Sequence, residues 1–156
     1  MPLLLDQFTG NGCRLLVWHV TETEEDLEKF SSGHNFAHSE PISSIKLVER
    51  RKQKLVTGLL ADIIAQKHCK IQYTDTGKPF LGDIPGYISV SHGGNFVGMI
   101  YHESLPPGLD IEVPSDRIRK IASKFINDHE NARLNDQADL HDLYLIWGVK
   151  EALFKS

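Results

Sequence analysis

The sequence lacks the features that mark membrane and secreted proteins. Its longest uninterrupted apolar stretch, at about residues 143–147, is far shorter than the ~20 residues of a membrane-spanning helix. The amino terminus has no basic region followed by a sustained apolar segment, so no secretory signal is visible. We therefore expect a cytoplasmic protein with no membrane partner.

The sequence also has few cysteines and no excess of positive charge. The two cysteines, Cys13 and Cys69, lie far apart and form no paired spacing, which excludes a disulfide framework or a zinc ribbon and predicts two reduced thiols. Seventeen Lys and Arg against 21 Asp and Glu give a net charge of −4. This is the wrong sign for a general nucleic-acid binder, so any anion-binding site must be local.

Length and composition indicate one folded domain spanning residues 1–156. The chain is 40% hydrophobic and 24% charged, close to the average of soluble globular proteins. A single domain of this size can bury a sizeable core.

Hydrophobic periodicity predicts an α+β fold in which an antiparallel meander packs on a long helix. A helix capped by Thr21 or Thr23 should follow the first strand, and Ser115 should cap a later helix. The predicted strands are 13–20, 71–73, 87–92, 96–101 and 109–113, and the predicted helices include 42–68, about 118–126 and one from 140 onwards.

Two acidic residues in the last predicted strand are candidate metal ligands. Because side chains alternate along a strand, Asp110 and Glu112 should share one face, about 7 Å apart, while Leu109, Ile111 and Val113 share the other. Taken alone, an Asp-X-Glu pair is more typical of the solvated outer face of a hairpin. A metal site needs a third oxygen ligand.

The final helix offers that ligand. At 100° per residue, Glu151 lies within the apolar stripe that contains Tyr144 and Trp147, where an ionised carboxylate needs a compensating cation. Lys155, one turn later, could form an ordinary helix pair with it. Alternatively, Asp110, Glu112 and Glu151 could bind Mg²⁺, which often takes further ligands from substrate phosphates and so implies a diphosphate substrate.

Other polar residues give weaker signals. Lys78 lies in a Gly-Lys-Pro turn, and Ser91-His92 precedes a double glycine where a ligand could approach the backbone. The basic residues of segment 46–54 could meet a phosphate or an acidic partner, but they are typical of a solvated helix face. His34 and His38 have metal-like spacing without further ligands, which disfavours zinc.

Taken together, several motifs resemble those of the 4′-phosphopantetheinyl transferase superfamily. They are Gly77-Lys78-Pro79, the ISVSH sequence that ends at His92, GLDIE at 108–112, Lys124-Phe125 with Glu130, and WGVKEA at 147–152. The resemblance covers residues 42–156. The position of Asp110 resembles the larger, surfactin-synthetase-activating type, whose members are pseudo-dimers of two α+β halves.

The resemblance implies Mg²⁺-dependent transfer of phosphopantetheine from coenzyme A to a serine of an apo acyl or peptidyl carrier protein. Asp110, Glu112 and Glu151 would hold the metal, and Lys78, Ser91, His92, Lys150 and Lys155 would bind coenzyme A. Glu130, or water activated near Glu151, would deprotonate the serine, and Lys155 would also belong to the catalytic group.

Two features depart from the family pattern and keep other functions open. Thr57 occupies a place where larger members carry a phosphate-binding Arg, with Lys54 one turn earlier. The sequence also stops inside the last motif helix, so most of the second half is absent, and we expect uncovered apolar surface there. The alternatives are a non-catalytic coenzyme A or carrier-protein binding module, and a Mg²⁺-dependent diphosphate hydrolase.

Overall fold

The described residues of the chain form an α+β structure built from antiparallel sheets and five α-helices. The computed structural model describes residues 3–31, 42–131, 134 and 139–156. Its elements are β1 (Leu3–Phe8), β2 (Arg14–His19), α1 (Glu24–Ser31), a 3₁₀ turn (Ile42–Ser44), α2 (Val48–Ala65), β3 (Ile71–Tyr73), β4 (Pro79–Leu81), β5 (Tyr87–Gly93), β6 (Phe96–His102), α3 (Arg117–Phe125), α4 (Asp128–Asn131) and α5 (Leu140–Lys155). The predicted fold class is confirmed.

The main sheet has the strand order β1-β2-β6-β5, with antiparallel pairing throughout, and β3 and β4 form a separate two-stranded sheet. Helix α2 packs against β6 and β2. Leu16, Val97 and Met99 of the sheet and Val56 and Leu60 of α2 have no exposed surface. This core holds β5 in place, and β5 carries the predicted Ser91-His92 motif.

The predicted long helix over residues 42–68 is shorter in the structure. Leu47 has an extended backbone, with φ −85° and ψ 123°, so α2 starts only at Val48. The guanidinium of Arg51 donates to the carbonyls of Ile45 and Lys46 and also pairs with Glu24. These side-chain bonds replace helical hydrogen bonds before α2 and join it to α1. At the other end, Gln66 adopts the left-handed conformation that closes many helices.

The cap of α1 was predicted correctly, whereas the cap of α3 was not. Thr23 Oγ1 accepts a hydrogen bond from the backbone N–H of Asp26, as an N-cap residue does. Helix α3 instead follows Asp116, which makes no side-chain cap bond. The Ser115 side chain is engaged elsewhere, because its hydroxyl shares a hydrogen bond of 3.3 Å with the Tyr144 hydroxyl on α5.

The predicted strand over residues 109–113 is wrong. This segment is extended but belongs to no sheet. The reason is that the backbone N–H groups of Leu109 and Ile111 donate to the hydroxyls of Ser89 and Ser91 on β5, at 3.2 and 3.1 Å, and not to strand carbonyls. The segment therefore lies over the face of β5 and β6, held by side-chain hydrogen bonds.

The sequence interpretation missed β1, β4 and α4. His34 and His38 lie outside the described residues, as do all of residues 32–41 and 135–138. Cys13 and Cys69 are buried free thiols. Within the described segments, no helix has the length and apolar character that crossing a membrane requires.

Gly108 marks a close approach of the 108–112 segment to α5. A Cβ atom at Gly108 would lie 1.8 Å from the carbonyl oxygen of Ala152, a backbone atom that a side-chain rotation cannot move. We therefore expect Gly108→Ala to lower the free energy of unfolding by roughly 3 kcal/mol, as overpacking does. Chemical denaturation measures the change. Gly10→Ala is the matched control, because nothing lies within 4 Å of a Cβ there, and equal stability of the two variants would contradict the packing.

Candidate functional site

The 108–112 segment lies between β5 and α5, and its side chains alternate between the two. On the sheet side, Leu109 and Ile111 fill the space above Gly98, where an added Cβ would meet both. On the other side, Asp110 and Glu112 contact residues of α5. The predicted alternation is therefore present, although it comes from an extended backbone without strand pairing.

Asp110 is the most buried carboxylate of the predicted metal set. Its side chain is only 6% exposed. Oδ1 accepts hydrogen bonds from Lys155 Nζ at 2.6 Å and from the Ser91 hydroxyl at 3.3 Å. Oδ2 is buried and has no hydrogen-bond partner among the described residues. A buried carboxylate oxygen without a donor is costly unless a cation or a donor reaches it.

Glu112 is exposed and is held by α5. Its Oε1 accepts a hydrogen bond from Trp147 Nε1 at 3.1 Å. The Trp147 ring in turn meets Phe125 edge-on, with a centroid separation of 5.0 Å. Glu112 is thus tied to the junction of α5 with α3.

Glu151 is half-buried on α5, between the residues that hold the other two carboxylates. At 100° per residue it lies 40° from both Trp147 and Lys155 around the helix. Within the described part of the chain, no hydrogen bond or ion pair joins Glu151 to another residue. The ion pair between Glu151 and Lys155, which the sequence left open as an alternative, is not formed, because Lys155 binds Asp110.

The predicted convergence of Asp110, Glu112 and Glu151 on one cation is not present in this structure. The described residues contain no group of three or more His, Cys, Asp or Glu side chains close enough to hold a metal. Two of the three carboxylates are occupied by donors of α5, namely Lys155 and Trp147. The three carboxylates nevertheless offer the oxygen ligands that a hard cation prefers. Oδ2 of Asp110 also has no hydrogen-bond partner among the described residues.

Lys150 and Glu130 form a separate cluster on the other side of α5. Lys150 Nζ donates to Glu130 Oε2 at 2.7 Å and to the carbonyl of Phe125. At 100° per residue, Lys150 lies 140° around α5 from Lys155. Its ammonium therefore joins α5 to α3 and α4, and the structure does not bring it to Asp110 as a phosphate ligand.

Glu130 also caps α4. Its carboxylate accepts from the N–H of Asn127, and the Asn127 side chain accepts from the N–H of Glu130, both at 2.9 Å. This reciprocal pair is a capping box. The Lys150 hydrogen bond first, and the Asn127 N–H second, lower the pKa of Glu130. A carboxylate with a lowered pKa is a weak proton acceptor.

Two small cavities flank Pro79 and Val90 and carry most of the predicted coenzyme A ligands. The first, of about 420 Å³, is lined by Lys78, Ser89, Phe154 and Lys155 among others. The second, of about 480 Å³, is lined by Arg50, Lys54, Thr57 and His92 among others. A larger cavity of about 1060 Å³ lies elsewhere, near Trp18 and Ile63, and includes none of the predicted site residues.

Arg50 is the residue of the second cavity that the sequence interpretation missed. Its Nη1 donates to His92 Nε2 at 2.9 Å. Partial desolvation, and then the charge of Arg50, lower the pKa of His92, which favours the neutral ring. The basic residues of 46–54 were the available signal, but their interpretation as a solvated helix face left Arg50 unassigned. Thr57 lines the same cavity, but its hydroxyl donates a hydrogen bond to the carbonyl of Gln53 within α2.

Comparisons with known proteins address the carboxyl-terminal part of the chain. A family model described as the 4′-phosphopantetheinyl transferase superfamily matches residues 106–156. No curated protein matches the chain. The matched segment contains Asp110, Glu112, Glu130, Glu151 and Lys155. Residues 106–156, which supply Asp110 and Lys155 to the site, are therefore similar to that superfamily.

Proposed function

We propose that this protein transfers 4′-phosphopantetheine from coenzyme A to a serine of an apo acyl or peptidyl carrier protein. The observation that carries the proposal is the buried Asp110 carboxylate beside a cavity with two lysines. The family match, which includes Asp110 and Lys155, supports it. The similarity to the larger, surfactin-synthetase-activating type is part of the proposal.

Coenzyme A would bind across the two cavities that share Pro79 and Val90. Lys78 and Lys155 supply positive charge in one cavity, and Arg50 and Lys54 do so in the other. A chain with a net charge of −4 has no general attraction for a polyanion, so these local cations would provide the binding energy. The exposed Phe154 ring adds an apolar wall beside Lys155.

Magnesium would be held by Asp110 through its bare Oδ2, with Glu112 and Glu151 completing the protein ligands. Glu112 would have to leave Trp147, since the three carboxylates are not grouped in the structure described above. When bound, Mg²⁺ would neutralise charge on the diphosphate and polarise it.

The transfer requires the serine oxygen of the carrier to attack the β-phosphorus, with 3′,5′-ADP as the leaving group. The residues of this chain would position the diphosphate and neutralise its charge, which is the main contribution of proteins to phosphoryl transfer. Glu151 suits the role of proton acceptor, or of positioning the accepting water, better than Glu130 does. The reason is that Lys150 and Asn127 already bind the Glu130 carboxylate.

A binding module without transferase activity is the second candidate. The observation in its favour is that Asp110, Glu112 and Glu151 do not form a ligand group among the described residues. Incubation with apo carrier protein, coenzyme A and Mg²⁺, followed by mass spectrometry of the carrier, separates the two functions. A transferase adds the mass of one phosphopantetheine arm, whereas a binding module leaves the carrier unmodified while still binding coenzyme A in calorimetry.

Replacement of Glu151 by Gln should reduce carrier modification by roughly a hundredfold or more, because the side chain keeps its shape but loses its charge toward the cation. The melting temperature of the metal-free protein should stay the same or rise, because no described cation compensates Glu151. Mass spectrometry and thermal unfolding on the same sample measure both. Glu103→Gln, at an exposed loop position, is the control, and a destabilised but fully active Glu151→Gln protein would refute the assignment.

Chelation of Mg²⁺ should weaken coenzyme A binding by about tenfold or more, since the diphosphate would lose its bridge to Asp110. Calorimetry of wild-type protein with coenzyme A, in Mg²⁺ and in EDTA, measures the difference. The Asp110→Asn protein should bind coenzyme A equally under both conditions. Equal affinity of the wild-type protein in both buffers would argue against a metal-bridged diphosphate.

Replacement of Glu130 by Gln should affect stability more than transfer. The lowered pKa of Glu130 means that its contribution to stability is present above the unfolded pKa of about 4.5 and is lost as the pH falls through the folded value. The melting temperature of Glu130→Gln should therefore lie below that of the wild type at pH 7, and the difference should shrink at about pH 3. Transfer should fall by less than about tenfold, whereas a general base would cost about 10² or more.

A further inference from the structure

The ammonium of Lys155 binds Oδ1 of Asp110, beside the buried Oδ2 that would take a metal ion. Lys155 Nζ lies 2.6 Å from Asp110 Oδ1 and 3.2 Å from the Ser91 hydroxyl. Its side chain is 31% exposed, whereas that of Asp110 is 6% exposed. The buried carboxylate thus receives its compensating charge from a side chain that still has access to solvent.

Ser91 fixes the geometry of this contact. Its hydroxyl accepts from the N–H of Ile111 and from Lys155, and it donates to Asp110 Oδ1. One donor and two acceptor positions are all that a hydroxyl has, so Ser91 is fully used. Oδ1 of Asp110 is consequently saturated by two donors, while Oδ2 stays buried without one.

We propose that Lys155 is an internal counter-ion that a divalent cation displaces from Asp110. A divalent cation on the Asp110 carboxylate would stand within a few ångströms of the ammonium, where like charges repel strongly in a poorly solvated site. Once a divalent ion compensates the charge of Asp110, the Lys155 ammonium no longer gains from binding this carboxylate. This inference rests on the proposed function, because that function supplies the metal.

The displaced ammonium has an adjacent place to go. Lys155 lines the cavity of about 420 Å³ that also contains Lys78 and Gly77. A released Lys155 side chain would project into this cavity together with Lys78 and present a second positive charge to an anionic ligand there. One side chain thereby stabilises the metal-free site and binds phosphate in the metal-loaded site, and cation and phosphate binding become coupled.

Direct metal titration tests the displacement. In calorimetry with Mg²⁺ alone, Lys155→Gln should bind the cation about tenfold more tightly than the wild type, because the competing charge is gone. Lys155→Arg, which retains the charge, should bind like the wild type. Equal or weaker Mg²⁺ binding by Lys155→Gln, or no Mg²⁺ binding by any of the three proteins, would overturn the proposal.

Thermal unfolding of the same proteins gives a second readout. Lys155→Gln should melt at a lower temperature than the wild type without metal, because Asp110 loses its partner. Mg²⁺ should raise the melting temperature of Lys155→Gln more than that of the wild type. A smaller or equal rise in Lys155→Gln would contradict displacement.

Amine labelling of the wild-type protein covers the case in which Lys155→Gln fails to fold. Mass spectrometry should show labelling of Lys155 increasing several-fold when Mg²⁺ is added, while labelling of the exposed Lys120 stays constant. In Asp110→Asn, Lys155 should be labelled equally fast with and without Mg²⁺. Unchanged labelling of Lys155 in the wild type would refute its release.

These experiments use neither coenzyme A nor a carrier protein, so their failure is distinguishable from failure of the proposed function. A protein that modifies its carrier normally but shows no displacement of Lys155 would keep the transferase function and lose this inference. If Lys155 is released on Mg²⁺ binding but no carrier is ever modified, this inference is kept and the transferase function is lost.

Discussion

The hydrogen bonds from the backbone of the 108–112 segment to two serine hydroxyls position the rest of the candidate site. An extended segment that pairs with no strand leaves its N–H groups in need of partners, and Ser89 and Ser91 supply them for Leu109 and Ile111. The i, i+2 spacing of the two serines matches the i, i+2 spacing of the two N–H groups. Asp110, between them, is thereby directed toward α5.

Close packing on both sides maintains this arrangement. Above the sheet, Gly98 leaves room for the side chains of Leu109 and Ile111, and a Cβ there would lie 2.7 Å from the nearer one. Beneath α5, Gly108 lets the segment approach the backbone of Ala152. The segment is therefore confined between two elements, which limits how far Asp110 can move when its ligand changes.

The periodicity of the sequence predicted features that depend on local structure. It failed for features that depend on contacts between residues far apart in the sequence. Alternation along 109–113 correctly placed Asp110 and Glu112 on one side, since any extended backbone alternates its side chains. The same alternation could not distinguish a paired strand from a segment held by serine hydroxyls. The helical period placed Glu151 on the face of α5 near the site. It could not show that Lys155 binds Asp110, 45 positions earlier.

The sequence interpretation gave Lys150 and Lys155 the same role, as ligands of coenzyme A, but their contacts in the structure differ. Lys150 and Lys155 belong to the same motif helix, yet Lys150 binds Glu130 whereas Lys155 binds Asp110. Their separation around the helix assigns one lysine to the packing of α5 on α3 and α4 and leaves the other at the cavity. The Lys150–Glu130 pair ties α5 to α4, and in this orientation of α5 Lys155 reaches Asp110.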